Sequence, residues 1–164
     1  MLETVTAAQI RSALLMPRIF QGVMLFTLLA LVIACLSLGE LLQQPLPESI
    51  RITVRTAFYI IAILTLPLTN LLRHIQLRLN QTMPLTTALP YQEAKQRYYS
   101  TLIVSMILME SVGFFGIVLF VLGDGINSLS ILSGMACLGF FLYRPKADEF
   151  VSIVSALTAK AADE

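Results

Sequence analysis

Charge is scarce in this sequence. Of its 164 residues only 13% are Asp, Glu, Lys or Arg and 57% are hydrophobic, with a mean hydropathy of +0.80. Soluble domains carry about 25% charged and about 45–50% apolar residues. The composition therefore argues against a water-soluble globule and predicts a polytopic membrane protein. A formal net charge of +1 and the lack of any dense basic block exclude nucleic acid as an expected partner. Cysteine is nearly absent. Cys35 and Cys137 each lie inside an apolar run, with no second Cys or His at ligand spacing. They read as small buried hydrophobes, not as a disulfide or a metal site. His74 is the single histidine, next to Arg73 and without carboxylate neighbours, so no metal site is expected and the ring is expected to face solvent.

Catalytic signatures are missing as well. There is no phosphate-binding glycine loop, no paired ligand histidines, no haem motif and no Ser-His-Asp set. The longest polar stretch, Arg73 to Arg97, is too short for a soluble domain. These absences predict a protein that is not an enzyme and needs no cofactor or metal. A cleaved signal is not expected either. Met1 to Gln9 carries Glu3 and no cation, and Leu36-Ser37-Leu38-Gly39 imitates a cleavage site only weakly.

What the chain does have is four long apolar runs. They cover about 19–39, 52–72, 100–122 and 126–143, and the second is interrupted by Arg55 and Pro67. A spanning helix needs about 20 residues, with a range of about 17–25. In hydrocarbon each backbone amide must be paired within its own segment, and no period-2 alternation argues for a barrel. The expected fold is an all-α integral membrane four-helix bundle forming one domain over 1–164. Gly123-Asp124-Gly125 is a tight turn that makes the last two runs an antiparallel hairpin. Between the second and third runs a loop is expected over 73–97, beginning with a helical-looking His74 to Arg78. It passes through Pro84 and Pro90, and Tyr91 to Tyr99 resumes as a polar helix. Short amphipathic helices are expected at both ends. One covers 6–16, capped by Thr6 and closed by Pro17, with Ile10, Leu14 and Leu15 on one side. The other covers 148–160, with Phe150, Ile153, Val154 and Leu157 on one face. Such ends lie in the bilayer interface, pack on a partner, or fold back on their own bundle.

Orientation follows from the cations. Arg11, Arg18, Arg73, Arg78, Lys95, Arg97, Arg144, Lys146 and Lys160 fall on one side, and only Arg51 and Arg55 on the other. By the positive-inside rule both termini are expected in the cytoplasm, with the protein in a cell inner membrane. Tyr98, Tyr99 and Tyr143 form an aromatic belt at the cytoplasmic boundary. Pro67, with Thr65, Thr69 and Asn70, marks an expected kink whose freed carbonyl the hydroxyls can satisfy.

Glu110 is the one acidic residue in the otherwise uncharged run Tyr98 to Leu122. A carboxylate there costs roughly 3 kcal/mol on insertion scales, so something is expected to compensate or use it. Gly113 and Gly116 follow on the helix and open a groove for a neighbouring backbone. Ser105 and Ser111 offer hydroxyls to the carboxyl. Arg55, one turn inside the second run and four residues after Arg51, either snorkels to the outer interface or reaches toward Glu110. Tyr59, one turn deeper, is the easier donor. A neutral carboxylic acid in a small-residue groove suits a reversible proton site and equally suits interhelical glue. The spacing of Glu110 and Gly116 resembles the ion-carrying helix of the rotary ATP synthase c subunit, where a membrane-embedded Glu is followed six positions later by Gly. That resemblance covers fewer than twenty residues and implies a carboxyl that binds and releases a proton or sodium ion. The preceding run, 52–72, has no glycine ladder, the polar connection is much longer, and the fourth run has no equivalent carboxylate. The overall layout is also similar to small four-helix bacterial membrane proteins with a Glu in the third helix, a likeness that implies no function.

The expected function is a small non-enzymatic multi-pass membrane protein, an accessory or structural subunit of a larger membrane assembly or a homo-oligomer. Its partners would be the lipid bilayer and other subunits or itself, docking on the Gly113 and Gly116 face and the amphipathic ends. The alternative is proton or ion translocation through Glu110 in an oligomer. Lipid handling or small-molecule transport ranks third, since four helices without an internal repeat make alternating access difficult.

Overall fold

The computed structural model describes residues 6–85 and 89–163, and among them it contains helices and no strands. The chain runs α1 (Ala7–Leu38), a 3-10 turn (Gly39–Leu42), α2 (Glu48–Thr82), α3 (Pro90–Val121), α4 (Ile126–Leu142) and α5 (Ala147–Asp163). Residues 1–5, part of the signal-peptide reading, and 86–88, part of the expected loop, lie outside the described residues. Helices α1, α2 and α3 are each long and apolar enough to cross a membrane. Helix α4, at 17 residues, meets the same test only together with α5, from which it is bent by 47°.

Two expected boundaries move. No separate helix ends at Pro17; α1 continues through it. A proline supplies no N–H to the carbonyl four residues back and normally kinks or ends a helix. Here the freed carbonyl of Ala13 accepts a 2.7 Å hydrogen bond from the Tyr99 hydroxyl of α3, so α1 stays satisfied where it passes the proline. The loop expected over 73–97 shrinks to 83–89, because α2 extends to Thr82 and α3 begins at Pro90. Cations complete that α2 end. Arg97 donates to the carbonyls of Asn80 (3.1 Å), Met83 (3.3 Å) and Pro84 (2.7 Å) while ion-pairing with Glu93. Lys160 donates to the Thr82 carbonyl at 2.5 Å. Positive groups on the last carbonyls of a helix satisfy its orphan acceptors and oppose its dipole.

These extensions give the molecule two stacked layers around α3, which touches each of the other four helices. The apolar layer holds Leu28, Met106, Met109, Val112, Leu132 and Ala136, all at most 2% exposed. The second layer is a cap of residues 7–16, 73–82, 90–99 and α5, whose surface mixes polar side chains with exposed Leu15, Met16, Ile75 and Leu79. Its centre is Leu14, Ala94, Tyr98, Phe150, Ile153 and Leu157, also at most 2% exposed, with Phe150 against the Tyr91 and Tyr98 rings. Each cap segment alone is too short to fold. Together they pool their apolar faces into one core continuous with the layer below. Helix α5 thus folds back on its own chain.

Small residues set the α3 spacing. A Cβ at Gly113 would meet the Leu28 side chain and Ala136, and one at Gly116 would stand 3.1 Å from the Leu132 Cβ and 3.2 Å from the Leu129 carbonyl. On α4, a Cβ at Gly139 would collide with Met109. The Gly113 and Gly116 face, expected to receive partners, is therefore already filled by α1 and α4. At the other end Gly123 takes φ +87° under Pro45, a conformation and a closeness that exclude a side chain. The 43–47 linker is strapped there by Gln44 N–H to the Val121 carbonyl (2.7 Å) and Leu46 N–H to the Leu122 carbonyl (3.2 Å).

Candidate functional site

Polar side chains gather at three levels along the bundle. The middle one has Ser111 and a buried Ser133 on α4, and its one acidic or basic side chain is Glu110. It is 8% exposed, and its Oε2 is buried with no hydrogen-bond partner among the described residues. It borders an open cleft of about 360 Å³ with Met24 of α1 and Ile107, Ser111, Phe114 and Phe115 of α3. Both α1 and α2 pack on α3 but make no substantial contact with each other. Phe115 stacks on Phe58 of α2 with ring centroids 4.7 Å apart. The strip of α3 left uncovered carries Ile103, Ile107, Phe114 and Val118, each 38–50% exposed. Glu110 and Ser111 lie beside that strip.

The partners expected for Glu110 are engaged elsewhere. Ser105 donates to the Thr101 carbonyl (2.9 Å) and Ser111 to the Ile107 carbonyl (2.8 Å), each within its own helix. Arg55 pairs with Asp124 at 3.2 Å. Tyr59 donates to Ser128 Oγ (3.3 Å), which donates to the second Asp124 oxygen (2.6 Å). Arg51 adds a bond to the Gly123 carbonyl at 3.1 Å. The expectation that Arg55 or Tyr59 reaches Glu110 is therefore corrected: the α3–α4 turn supplies a nearer carboxylate. The signal was present as matched spacing. Arg51, Arg55 and Tyr59 recur every four residues on α2, and Asp124 and Ser128 are four apart across the start of α4.

The third level joins the cap to the apolar layer. Arg73, 5% exposed, donates to the carbonyls of Tyr143 (2.7 Å) and Arg144 (3.3 Å) and pairs with Glu149 at 2.6 Å. One guanidinium thus closes the C-terminal end of α4 and holds the first turn of α5. The Tyr98 hydroxyl accepts the Lys146 N–H at 2.9 Å and lies 3.3 Å from Glu149. Tyr143 donates to the Leu66 carbonyl (2.8 Å), and Thr65 and Thr69 donate to Ile61 and Thr65 (2.7 Å each). The hydroxyls near Pro67 therefore serve carbonyls other than Ile63, the one the proline frees, and α2 runs on as a single helix. His74 is exposed and lines an open cleft of about 550 Å³ with Asn70, Arg73, Lys146 and Glu149. Sequence reasoning missed this level, because Arg73 reads as one more flanking cation.

No group of three or more His, Cys, Asp or Glu among the described residues is placed to hold a metal. The chain matches no protein-family model, no curated protein and no solved structure.

Proposed function

We propose that this chain is a non-enzymatic multi-pass membrane protein that works by association, as a subunit of a homo-oligomer or of a larger inner-membrane assembly. The cap and both termini face the cytoplasm, in keeping with the nine-to-two distribution of cations. A partner helix seats on the α3 strip of Ile103, Ile107, Phe114 and Val118 and brings a donor to Glu110. The observation that carries this reading is the buried Glu110 Oε2 without a partner, bordering an uncovered apolar strip. In hydrocarbon an unsatisfied polar group favours whatever contact satisfies it. The Gly113 and Gly116 face plays no part in docking, since α1 and α4 occupy it.

The test is extraction from native membranes in mild detergent, followed by native mass measurement. The expected result is an assembly larger than one chain that Glu110→Leu dissociates and Glu110→Gln retains, because the amide keeps a hydrogen bond. An Ile107→Cys variant lacking Cys35 and Cys137 should crosslink to the partner. A monodisperse monomer with no copurifying chain overturns the reading.

Proton or ion translocation is the second reading, favoured by the absence of any cation paired with Glu110 among the described residues. It requires carbodiimide labelling of Glu110 that is faster at low pH, and loss of proton flux in liposomes on Glu110→Gln. Without both, this reading fails.

A further inference from the structure

Seen from the cations, the boundary between the layers is uneven. Arg73 and Arg97 are held by carboxylates and helix-end carbonyls, and Lys160 by a helix-end carbonyl. Arg18 and Arg144 have no carboxylate within 4 Å among the described residues, and Lys146 stands 4.0 Å from Glu149, which Arg73 already holds. These three line one open pocket of about 570 Å³ between α1 and the α4–α5 bend, with Gln21, Phe141 and Asp148. Three cations face one carboxylate there. The spacing is built in: Gln21 donates to the Phe140 carbonyl at 2.6 Å, tying α1 to the end of α4 one turn from Arg18. The Arg144 guanidinium lies over the Phe141 ring, 5.2 Å from its centroid.

Below the pocket the same helix faces turn apolar. On α1 they continue at helical spacing as Gly22, Leu25 and Leu29, and on α4 as Phe141, Leu138 and Ile131, all exposed. A Cβ at Gly22 or at Gly134 would meet nothing within 4 Å, so this surface is open on both helices. A cationic pocket directly over an exposed apolar surface matches a ligand with an anionic head and hydrocarbon tails. We propose that this pocket binds the phosphate headgroup of an anionic phospholipid of the cytoplasmic leaflet, with its acyl chains along α1 and α4. The inference rests on the membrane reading above, and basic pockets between helices on that side suit such headgroups. Free phosphate shares the headgroup's chemistry but has no use for the apolar surface.

The test reconstitutes the full chain into nanodiscs of equal phosphatidylglycerol and phosphatidylcholine, then counts the lipids retained on release by native mass spectrometry. Wild type should keep phosphatidylglycerol preferentially. The Arg18→Gln, Arg144→Gln double variant should lower that preference on the order of tenfold, and Arg78→Ala, an exposed cation outside the pocket, should leave it unchanged. Asp148→Asn should raise it, a gain that a merely structural role would not produce. Equal retention of the two lipids, or a double variant that matches wild type, overturns the inference while leaving the membrane reading intact. Displacement of the retained lipid by millimolar inorganic phosphate assigns the pocket to a soluble anion and overturns the lipid proposal. Failure of wild type to enter nanodiscs at all overturns the membrane reading itself.

Discussion

At the scale of single residues, Arg73 stands out as the one buried cation among the described residues. Its guanidinium is buried, holds Glu149 and closes two carbonyls at the end of α4. Removing one partner of a buried pair costs about 3–5 kcal/mol. Here Lys146 at 4.0 Å and the Tyr98 hydroxyl still face the part-buried Glu149, so the loss falls toward the lower end. Arg73→Ala should therefore lower the unfolding temperature in detergent strongly. Arg73→Lys should recover only part of the loss, because an ammonium cannot present the planar fork. An Arg73→Ala protein that melts with wild type would show that the pair contributes nothing. Glu110 is the opposite case, a buried acid whose Oε2 no group among the described residues completes. Its isolation in the third apolar run was plain from sequence, since it needed only one charge in a long uncharged stretch. Its lack of a partner was not. That depended on Asp124, a turn residue by its neighbours, drawing Arg55 away.

At the scale of elements, the long apolar runs are the part of the fold that sequence makes easiest to read, because length and hydropathy suffice to find them. Boundaries set by distant residues are another matter. Pro17 looks like a stop signal, and α1 runs on past it with the orphaned Ala13 carbonyl taken over by Tyr99, 86 residues after Ala13. A double-mutant cycle tests this. Tyr99→Phe should cost about 1 kcal/mol in wild type, the usual net value of a hydrogen bond. It should cost much less in a Pro17→Ala background, where the helix has its own N–H for Ala13. Equal costs in the two backgrounds, read from chemical denaturation in detergent, would refute the account. The helical continuation of α2 through His74 to Arg78 was legible, but its reach to Thr82 was hidden for the same reason. Its C-terminal carbonyls are completed by Arg97 and Lys160 from other helices, which no local pattern records.

At the scale of the whole molecule, the cap was the feature least visible from sequence. Four segments, each too short to fold, build one interior around Phe150, which is fully buried. The amphipathic stripe Phe150, Ile153, Val154, Leu157 announced that a buried face existed, yet not what it faced. Truncating a buried phenylalanine costs about 3–5 kcal/mol. Phe150→Ala should therefore raise hydrogen exchange throughout 7–16, 73–82, 90–99 and α5. Met106 to Val121 and α4 should stay protected, because their packing on Leu28 and Leu132 is untouched. Uniform deprotection would mean that the two layers unfold as one unit.

Helices α1, α2 and α3 pass from cap to apolar layer without interruption, whereas α4 and α5 meet there at a 47° bend. Three stiff rods crossing the boundary cannot tilt at one end without swinging at the other. A tilt of α1 or α3 within the cap therefore carries into the walls around Glu110, because both helices line the cleft beside it.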